Sequence, residues 1–400
     1  MEQSFFQKLK RVKIADLLSV FKLFIAILPA IIMKLWRKDL WLLCDTRYEA
    51  GDNAFWLFKY IRKEQPNVDV IFALDKKSRH YDKVRNLGKV VPYGSVRHWI
   101  YYLVADKNVS SQKMGKPNAA ICYVLEVYGI LKNKRAFLQH GIITADLTFL
   151  HYPHTKMKLF VTSTEDEWEY VDRVYEYPKG VVQKLGLCRF DGLHDYKVNK
   201  RQLLIMPTWR MYIRNEISGK DANIYDAFLK TEYYRFWNGL LEDEEFVKFI
   251  EESDIEVVFY PHREMKAFLQ CFKFQSKNIK LLSYEQCDVQ TVLKEAAFLI
   301  TDYSSVSMDF AYMKKPLIYY QFDYEQFRSG HHPEGYFSFK DDGFGPVCTT
   351  WNGVVENLKN AFHKEEGFVN EDKYLSRHEK YFDLFDDENC KRNYDAIAKM

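Results

Sequence analysis

The amino-acid sequence predicts an α/β protein of two Rossmann-like, doubly wound domains facing a cleft, with an amphipathic helix at the N-terminus. Three observations predict it. At 400 residues the chain exceeds what one hydrophobic core usually serves. Short apolar runs alternate with helical patterns along its length, as in parallel βαβ units. The series breaks once, near residues 185–202, and resumes without a low-complexity linker. The expected segments are residues 1–38, 39–190, 191–370 and 371–400: a basic, apolar membrane-associating stretch, two Rossmann-like domains and a charged helical tail.

The first segment stands apart in composition. Leu17 to Met33 is mostly apolar, interrupted by Ser19, Lys22 and Pro29, and it is flanked by Lys8, Lys10, Arg11, Lys13, Lys34, Arg37 and Lys38. Eight Lys/Arg against two Asp/Glu give residues 1–38 a formal +6, so the chain's modest net charge of +3 is concentrated there. The longest uncharged run, Leu23 to Met33, has 11 residues, against roughly 20 for a spanning helix. No small-residue cleavage site follows it. A monotopic helix on an anionic membrane surface is expected, with a domain-packing helix and a solvated basic face as the alternative.

In the first domain the expected strands are Trp41–Cys44, Val68–Leu74, Lys89–Tyr93, Lys107–Ser111, a run from Ala136 that carries His140-Gly141 at its tip, and Leu159–Thr162. Asp52 and Asn53 are capping candidates for a helix whose apolar face is Phe55, Leu57, Phe58 and Ile61. Val96–Val104 is helical, and Gly180–Lys184 is expected as a short helical turn. In the second domain the expected strands are Leu203–Met206, Glu256–Tyr260, Ile279–Leu282, Ala297–Ile300 and Leu317–Tyr320. Helices around Phe246–Glu251 and Val289–Glu295 alternate with them.

Composition narrows the function. With 28% charged residues and 47% hydrophobic ones, the chain is globular rather than disordered. A net charge of +3 gives no case for nucleic acid. The seven cysteines are scattered and show no CxxC spacing. Neither a disulfide framework nor a zinc site is expected, and reduced thiols fit a cytosolic setting.

Several residues at expected strand ends carry chemistry. His140, before Gly141, has an imidazole suited to general base work near neutral pH, and the glycine permits close approach. His262 and Arg263, in Tyr260-Pro-His-Arg-Glu, would neutralise a pyrophosphate and its leaving group. Thr301-Asp302-Tyr303-Ser304-Ser305 links a strand to a helix, placing backbone N–H groups and hydroxyls where phosphate binds. Asp302 repels phosphate and is better suited to capping or to orienting a basic residue. Arg210, in Pro207-Thr-Trp-Arg, is expected to reach the same cleft. Arg210 and Asp191 are each also candidates for structural glue between the two series, and Lys314 and Lys315 are expected to be solvated. No Asp-x-Asp pair is placed to hold a nucleotide-bound divalent metal, so no metal is expected.

Together these pieces resemble the CDP-glycerol glycerophosphotransferase family, the teichoic-acid primases and polymerases. The resemblance rests on Gly51-Asp-Asn-Ala, Ser110-Ser-Gln-Lys113, Gln139-His-Gly141, Pro207-Thr-Trp-Arg210, Tyr260-Pro-His-Arg263, Thr301-Asp-Tyr-Ser-Ser305, Lys314-Lys-Pro-Leu-Ile-Tyr-Tyr-Gln-Phe-Asp323 and Arg392-Asn-Tyr394. It runs from about residue 41 onward. It implies a GT-B fold and a peripheral, monotopic enzyme on the cytoplasmic face of the cell membrane. Glycerol phosphate would pass from CDP-glycerol to a lipid-linked glycan of teichoic-acid or capsule type, releasing CMP.

On that resemblance 39–190 is the acceptor domain and 191–370 the donor domain. His140 is the base, His262 and Arg263 bind the donor pyrophosphate, and Thr301, Ser304 and Ser305 hold phosphate. Gly141, Arg210 and Asp302 complete the expected substrate-binding set, with His140 and His262 as catalytic residues. The chain departs from the family where a Trp-His-Gly-Thr-Pro-Leu-Lys setting is usual. Here the run is Gln139-His-Gly-Ile-Ile-Thr-Ala-Asp146. That change bears on the acceptor and keeps CDP-ribitol open as donor. A nucleotide-sugar glycosyltransferase of the same fold and a non-catalytic membrane-surface module are the competing readings.

Overall fold

The computed structural model describes residues 14–113, 115–213, 223–330 and 335–400. Lys8, Lys10, Arg11 and Lys13, part of the basic N-terminal segment, lie outside them. The chain forms two compact units. The first holds the residues up to His140, Thr148–Gly192 and Asp386–Met400; the second holds Gly141–Leu147 and Leu193–Phe385.

The first unit begins with helix α1 (Ile14–Lys34). Strands β1 (Trp41–Cys44), β2 (Val70–Leu74), β3 (Val90–Pro92), β4 (Lys107–Ser110), β5 (Lys134–Phe137), β6 (Leu159–Thr162) and β7 (Val182–Lys184) follow. Between them lie α2 (Asn53–Glu64), α3 (Tyr81–Leu87), α4 (Val96–Val104), α5 (Ala119–Val127), α6 (Tyr152–Thr155) and α7 (Glu165–Val174). The strands form one sheet in the order β3-β2-β1-β4-β5-β6-β7, with every pairing parallel. All residues of β1, β2 and β6 are buried, because helices cover both faces of a parallel sheet. That explains why these strands are continuous apolar runs in the sequence.

Gly180–Lys184 corrects an expectation. It is not a helical turn: Gly180 turns the chain at φ +84°, and Val182–Lys184 pairs along β6 as the edge strand. The strand carrying His140 is also shorter than its apolar run. It ends at Phe137, and Gln139 takes a left-handed backbone at φ +68°, which turns His140 out of the sheet direction.

Helix α1 lies on α4 through small residues. Ser19, Ala26 and Ala30 are buried, and Trp99 Nε1 donates to Ser19 Oγ at 3.2 Å. Lys22 Nζ donates to the Gly94 carbonyl at 2.8 Å. The outward side is apolar rather than basic, with Leu17, Phe21, Phe24 and Leu28 all more than 60% exposed. The helix is long and apolar enough to cross a membrane.

The second unit has β8 (Asn199–Met206), β9 (Glu256–Phe259), β10 (Ile279–Leu281), β11 (Ala296–Thr301), β12 (Leu317–Tyr320) and β13 (Val347–Cys348). Its helices are α8 (Ile224–Leu229), α9 (Glu232–Glu242), α10 (Glu244–Glu252), α11 (Val289–Glu295), α12 (Val306–Tyr312), α13 (Tyr324–Gly330), α14 (Trp351–Ala361) and α15 (Asp372–Tyr381). The sheet order is β10-β9-β8-β11-β12-β13, again all parallel. Both sheets therefore follow the Rossmann order 3-2-1-4-5-6, with a reversal point between β1 and β4 and another between β8 and β11. Lys315, expected to be solvated, is buried instead. Its ammonium donates to the carbonyls of Leu293, Lys294 and Ala296 at the end of α11, satisfying acceptors that a helix C-terminus leaves open.

The tail expected as one helical segment from residue 371 divides. Helix α15 stays with the second unit, whereas α16 (Asn389–Ala398) packs on the first. Asp191 caps α16, accepting from Asn389 N, Asn389 Nδ2 and Cys390 N at 2.7–2.9 Å. Tyr394 stacks on Trp41 with centroids 5.5 Å apart. Gly186 sits at φ +79° under this helix, where a Cβ would lie 1.7 Å from Asn389 Oδ1. Gly186→Ala is expected to cost about 1–3 kcal/mol through strain and displacement of α16, measured as a lower urea midpoint at unchanged m-value.

Candidate active-site residues

In the first unit the candidate side chains come from the loops after β1, β4 and β5, at the reversal of strand order. His140 is 65% exposed at its side chain, and its Nδ1 lies 2.5 Å from Asp52 Oδ2. Gln112, following β4, brings its Nε2 to 3.3 Å from the same nitrogen. Arg189 Nη1 donates to Asp52 Oδ1 (3.1 Å) and to the His140 carbonyl (2.6 Å). Burial pushes the Asp52 carboxyl up, but the charges of His140 and Arg189 and the hydrogen bonds outweigh it and hold the group below its ordinary value. An ionised Asp52 fixes the proton of a neutral imidazole on Nδ1 and leaves the lone pair on Nε2.

The loop bearing Asp52 is itself built on a buried carboxyl. Asp45, at the end of β1, is fully buried. It accepts from the backbone N–H groups of Gly51, Asp52 and Ala54 at 3.0–3.1 Å and from Ser111 Oγ at 2.5 Å. Burial and the nearby Asp52 raise it to about 7 against the pull of these donors. Asn53 completes the frame: its Nδ2 donates to the carbonyls of Leu138 and Gln139 (3.3 and 2.7 Å), and its Oδ1 accepts from Arg189 N (2.9 Å). Asp52 is thus both the expected helix cap, accepting from Asn53 N at 2.8 Å, and the partner of His140. Asp45, Asn53 and Arg189 escaped notice as site residues. The signal available was a Gly-Asp-Asn turn directly after the strand at the reversal point.

In the second unit the corresponding loops converge on a buried guanidinium. Arg210 follows β8 and is fully buried. Its Nη1 meets Asp302 Oδ2 at 2.8 Å, and its Nε and Nη2 meet the two carboxylate oxygens of Asp323 at 2.7 and 3.1 Å. Desolvation works against the charge on Arg210, yet the two carboxylates outweigh it and hold it firmly protonated. Tyr212 and Tyr303 donate their hydroxyls to Asp323 at 2.6 and 3.3 Å. The Tyr303 ring stacks on Phe327 with centroids 3.8 Å apart. Asp302 also accepts from Thr208 N and Tyr303 N at 3.0 and 2.7 Å. Thr301 is buried, its hydroxyl donating to the Met206 carbonyl at 2.7 Å.

These contacts correct three of the substrate-binding expectations. Arg210, Thr301 and Asp302 are 0% exposed and are bonded to the protein. They brace the loops after β8, β11 and β12 instead of facing a ligand. Asp302 takes the second role foreseen for it, orienting a basic residue. Ser304 and Ser305 remain partly exposed at the start of α12. His262 and Arg263 are exposed after β9. His262 Nδ1 accepts from Glu264 N at 3.3 Å, which leaves Nε2 as the protonated nitrogen of a neutral ring. Arg263 lies 3.6 Å from Glu264. Gly141 opens the segment 141–147 that groups with the second unit.

Comparison with known proteins agrees with the fold. The profile of the family CDP-Glycerol:Poly(glycerophosphate) glycerophosphotransferase matches residues 28–399. The Minor teichoic acid biosynthesis protein GgaB of Bacillus subtilis strain 168 is 33% identical over 375 residues, 91% of this chain and 40% of that protein. The Teichoic acid poly(glycerol phosphate) polymerase of the same strain is 24% identical over 348 residues, 78% of this chain and 42% of that protein. The chain thus spans about two-fifths of the length of these relatives. A structure of the wall teichoic acid polymerase TagF superposes with a TM-score of 0.64 at 14% identity, covering 97% of this chain and 98% of that one. Two parallel Rossmann-type sheets and a family profile spanning nearly the whole chain lead to one conclusion: the chain belongs to the CDP-glycerol:poly(glycerophosphate) glycerophosphotransferase family.

Proposed function

We propose that this chain transfers a polyol phosphate, glycerol phosphate from CDP-glycerol, to a hydroxyl of a lipid-linked glycan of teichoic-acid or capsule type. One observation carries the reading: an exposed histidine whose Nδ1 is held by a partly buried, ionised carboxylate at the reversal point of a Rossmann sheet. In the step, the acceptor oxygen attacks the β-phosphorus of CDP-glycerol. The bond from that phosphorus to the bridging oxygen breaks, CMP leaves with the electron pair, and the acceptor's proton passes to His140 Nε2. Asp52 orients the ring and stabilises the imidazolium, so it is a positioning residue.

Residues 39–190 form the acceptor domain in this reading and 191–370 the donor domain. His262, through Nε2–H, and Arg263 neutralise the pyrophosphate and the departing CMP. Ser304 and Ser305 supply hydroxyl and backbone N–H donors to phosphate, and Gly141 leaves room for substrate beside the base. The altered residues after His140, Ile142-Ile-Thr-Ala-Asp146, keep CDP-ribitol as the second donor to be tried.

We place the protein on the cytoplasmic membrane surface through residues 1–38. The support is α1, which packs its small-residue side on the fold while its large apolar side chains face outward. Such a helix suits the headgroup boundary of an anionic leaflet.

Four measurements test these readings. With acceptor present, CMP release from CDP-glycerol or CDP-ribitol is expected and UDP release from UDP-sugars is not; the reverse rejects the polyol-phosphate reading. His140→Ala is expected to lower kcat by about 10²–10⁴, and Asp52→Asn by a smaller factor with a shifted pH profile. Arg210→Met is expected to destabilise by about 3–5 kcal/mol, since it leaves two buried carboxylates without their cation, and denaturant unfolding reads this directly. Deleting residues 1–38 is expected to release the protein from anionic vesicles, and undiminished co-sedimentation would place the contact elsewhere.

A further inference from the structure

Asp52 and Gln112, which meet His140 Nδ1, come from loops tied to one buried carboxyl. Asp45 Oδ2 accepts from Gly51 N and Asp52 N, each at 3.1 Å. Its Oδ1 accepts from Ala54 N at 3.0 Å and from Ser111 Oγ at 2.5 Å, and Ser111 directly precedes Gln112. Four donors fill the lone-pair directions of an ionised carboxylate. Asp45 and Ser111 are both 0% exposed.

The same atoms also provide for a neutral carboxyl. A proton on Oδ1 has its acceptor at hand in Ser111 Oγ. Ala54 N lies 2.7 Å from that hydroxyl oxygen, so it keeps a partner when Oδ1 becomes a donor. What is lost is strength, since a hydrogen bond to a neutral carboxyl is roughly half as strong as one to a carboxylate. Gly51 N and Asp52 N are then held more loosely, and Asp52 is the residue that orients the His140 ring.

The charged neighbours leave the balance close. The Cys44 thiol beside Asp45 is pushed well up by burial and stays neutral. Asp52 opposes a second negative charge, while Arg189 and His140 attach to Asp52 rather than to Asp45. With Asp45 raised to about 7 by burial first and Asp52 next, against the pull of its donors, both forms are populated at neutral pH. A carboxyl raised by folding loses stability for the fold as pH climbs from the ordinary carboxyl range to about 7. That cost falls at the site, not in the core.

We propose that Asp45 is a positioning residue for the transfer: as a carboxylate it clamps the Gly51–Ala54 turn that aims Asp52 at His140, and on protonation it turns its hydrogen bond toward Ser111 and loosens the clamp. This role rests on the reading of His140 as the base and deepens it. Turnover then depends on a buried group that touches neither substrate nor the imidazole.

Two readouts test it. Difference infrared spectra of the full chain, recorded across neutral pH without substrate, are expected to show a protonated carboxyl band that disappears with a midpoint near neutrality. In Ser111→Ala, which lacks the hydroxyl donor to the carboxylate, the midpoint is expected about one pH unit higher. In Asp45→Asn the band is expected to be absent; should that variant fail to fold, the shift in Ser111→Ala assigns the band by itself. The acid limb of kcat for CMP release is expected to move in Ser111→Ala by the same amount and in the same direction, with unchanged thermal unfolding at low pH. A wild type with no band titrating near neutrality, or a limb that stays in place while the band moves, overturns the assignment. A chain that releases no CMP while its band titrates and shifts as stated rejects the transferase reading instead.

Discussion

Everything chemical in this molecule depends on the hydrogen bonding of two parallel sheets. A strand buried on both faces favours apolar side chains, and β1, β2, β6, β11 and β12 are wholly buried. Polar chemistry is displaced to the loops at the strands' carboxyl ends. Where the strand order reverses, adjacent loops diverge to opposite faces and leave an opening. Asp45, Asp52, Gln112 and His140 lie at that point in the first sheet; Arg210, Asp302 and Asp323 lie there in the second.

The two units use buried charge differently. In the second, Arg210 and its two aspartates are enclosed by tyrosines and phenylalanines and have no exposure to solvent. Removing either sign leaves the other uncompensated in a low-dielectric site, which is far costlier than losing a surface pair. The cluster thereby ties three loops into one arrangement. In the first, the charges form a gradient from inside to outside. Asp45 sits beneath the turn, Asp52 lies above it, and His140 is at the surface. The inner carboxyl gathers backbone N–H groups, and the outer one faces the imidazole. The His140 ring gains a fixed orientation while keeping access to solvent.

How far the sequence disclosed this varies with the kind of interaction. Strands such as Trp41–Cys44 and Ala296–Thr301 were legible because burial on both faces writes an unbroken apolar run. Val182–Lys184 was not, since a three-residue edge strand carries almost no periodic signal and Gly180 imitates a helix boundary. His140, His262 and the Thr301–Ser305 turn were legible as polar residues at strand ends. The partners that define their roles were not. Asp45 meets Ser111, and Arg210 meets Asp323, only because the fold closes gaps of 66 and 113 residues. Nothing in local spacing distinguishes an arginine destined for a ligand from one destined for two buried aspartates. The likeness of Lys314-Lys315 to a solvated pair misled for the same reason: the carbonyls that Lys315 meets end a helix some twenty residues earlier.

The return of α16 to the first unit has a consequence for how the chain is made. Asp191 waits for Asn389, and Trp41 waits for Tyr394. During synthesis the first sheet can assemble early, but one flank of it stays uncovered until nearly two hundred further residues have been polymerised. The second unit waits for no such late segment: apart from Gly141–Leu147, made earlier, its residues run without a break from Leu193 to Phe385. Of the two units, the one whose sheet is translated earlier is therefore the later to be finished, and its exposed apolar flank is the stretch most in need of a chaperone in the interval.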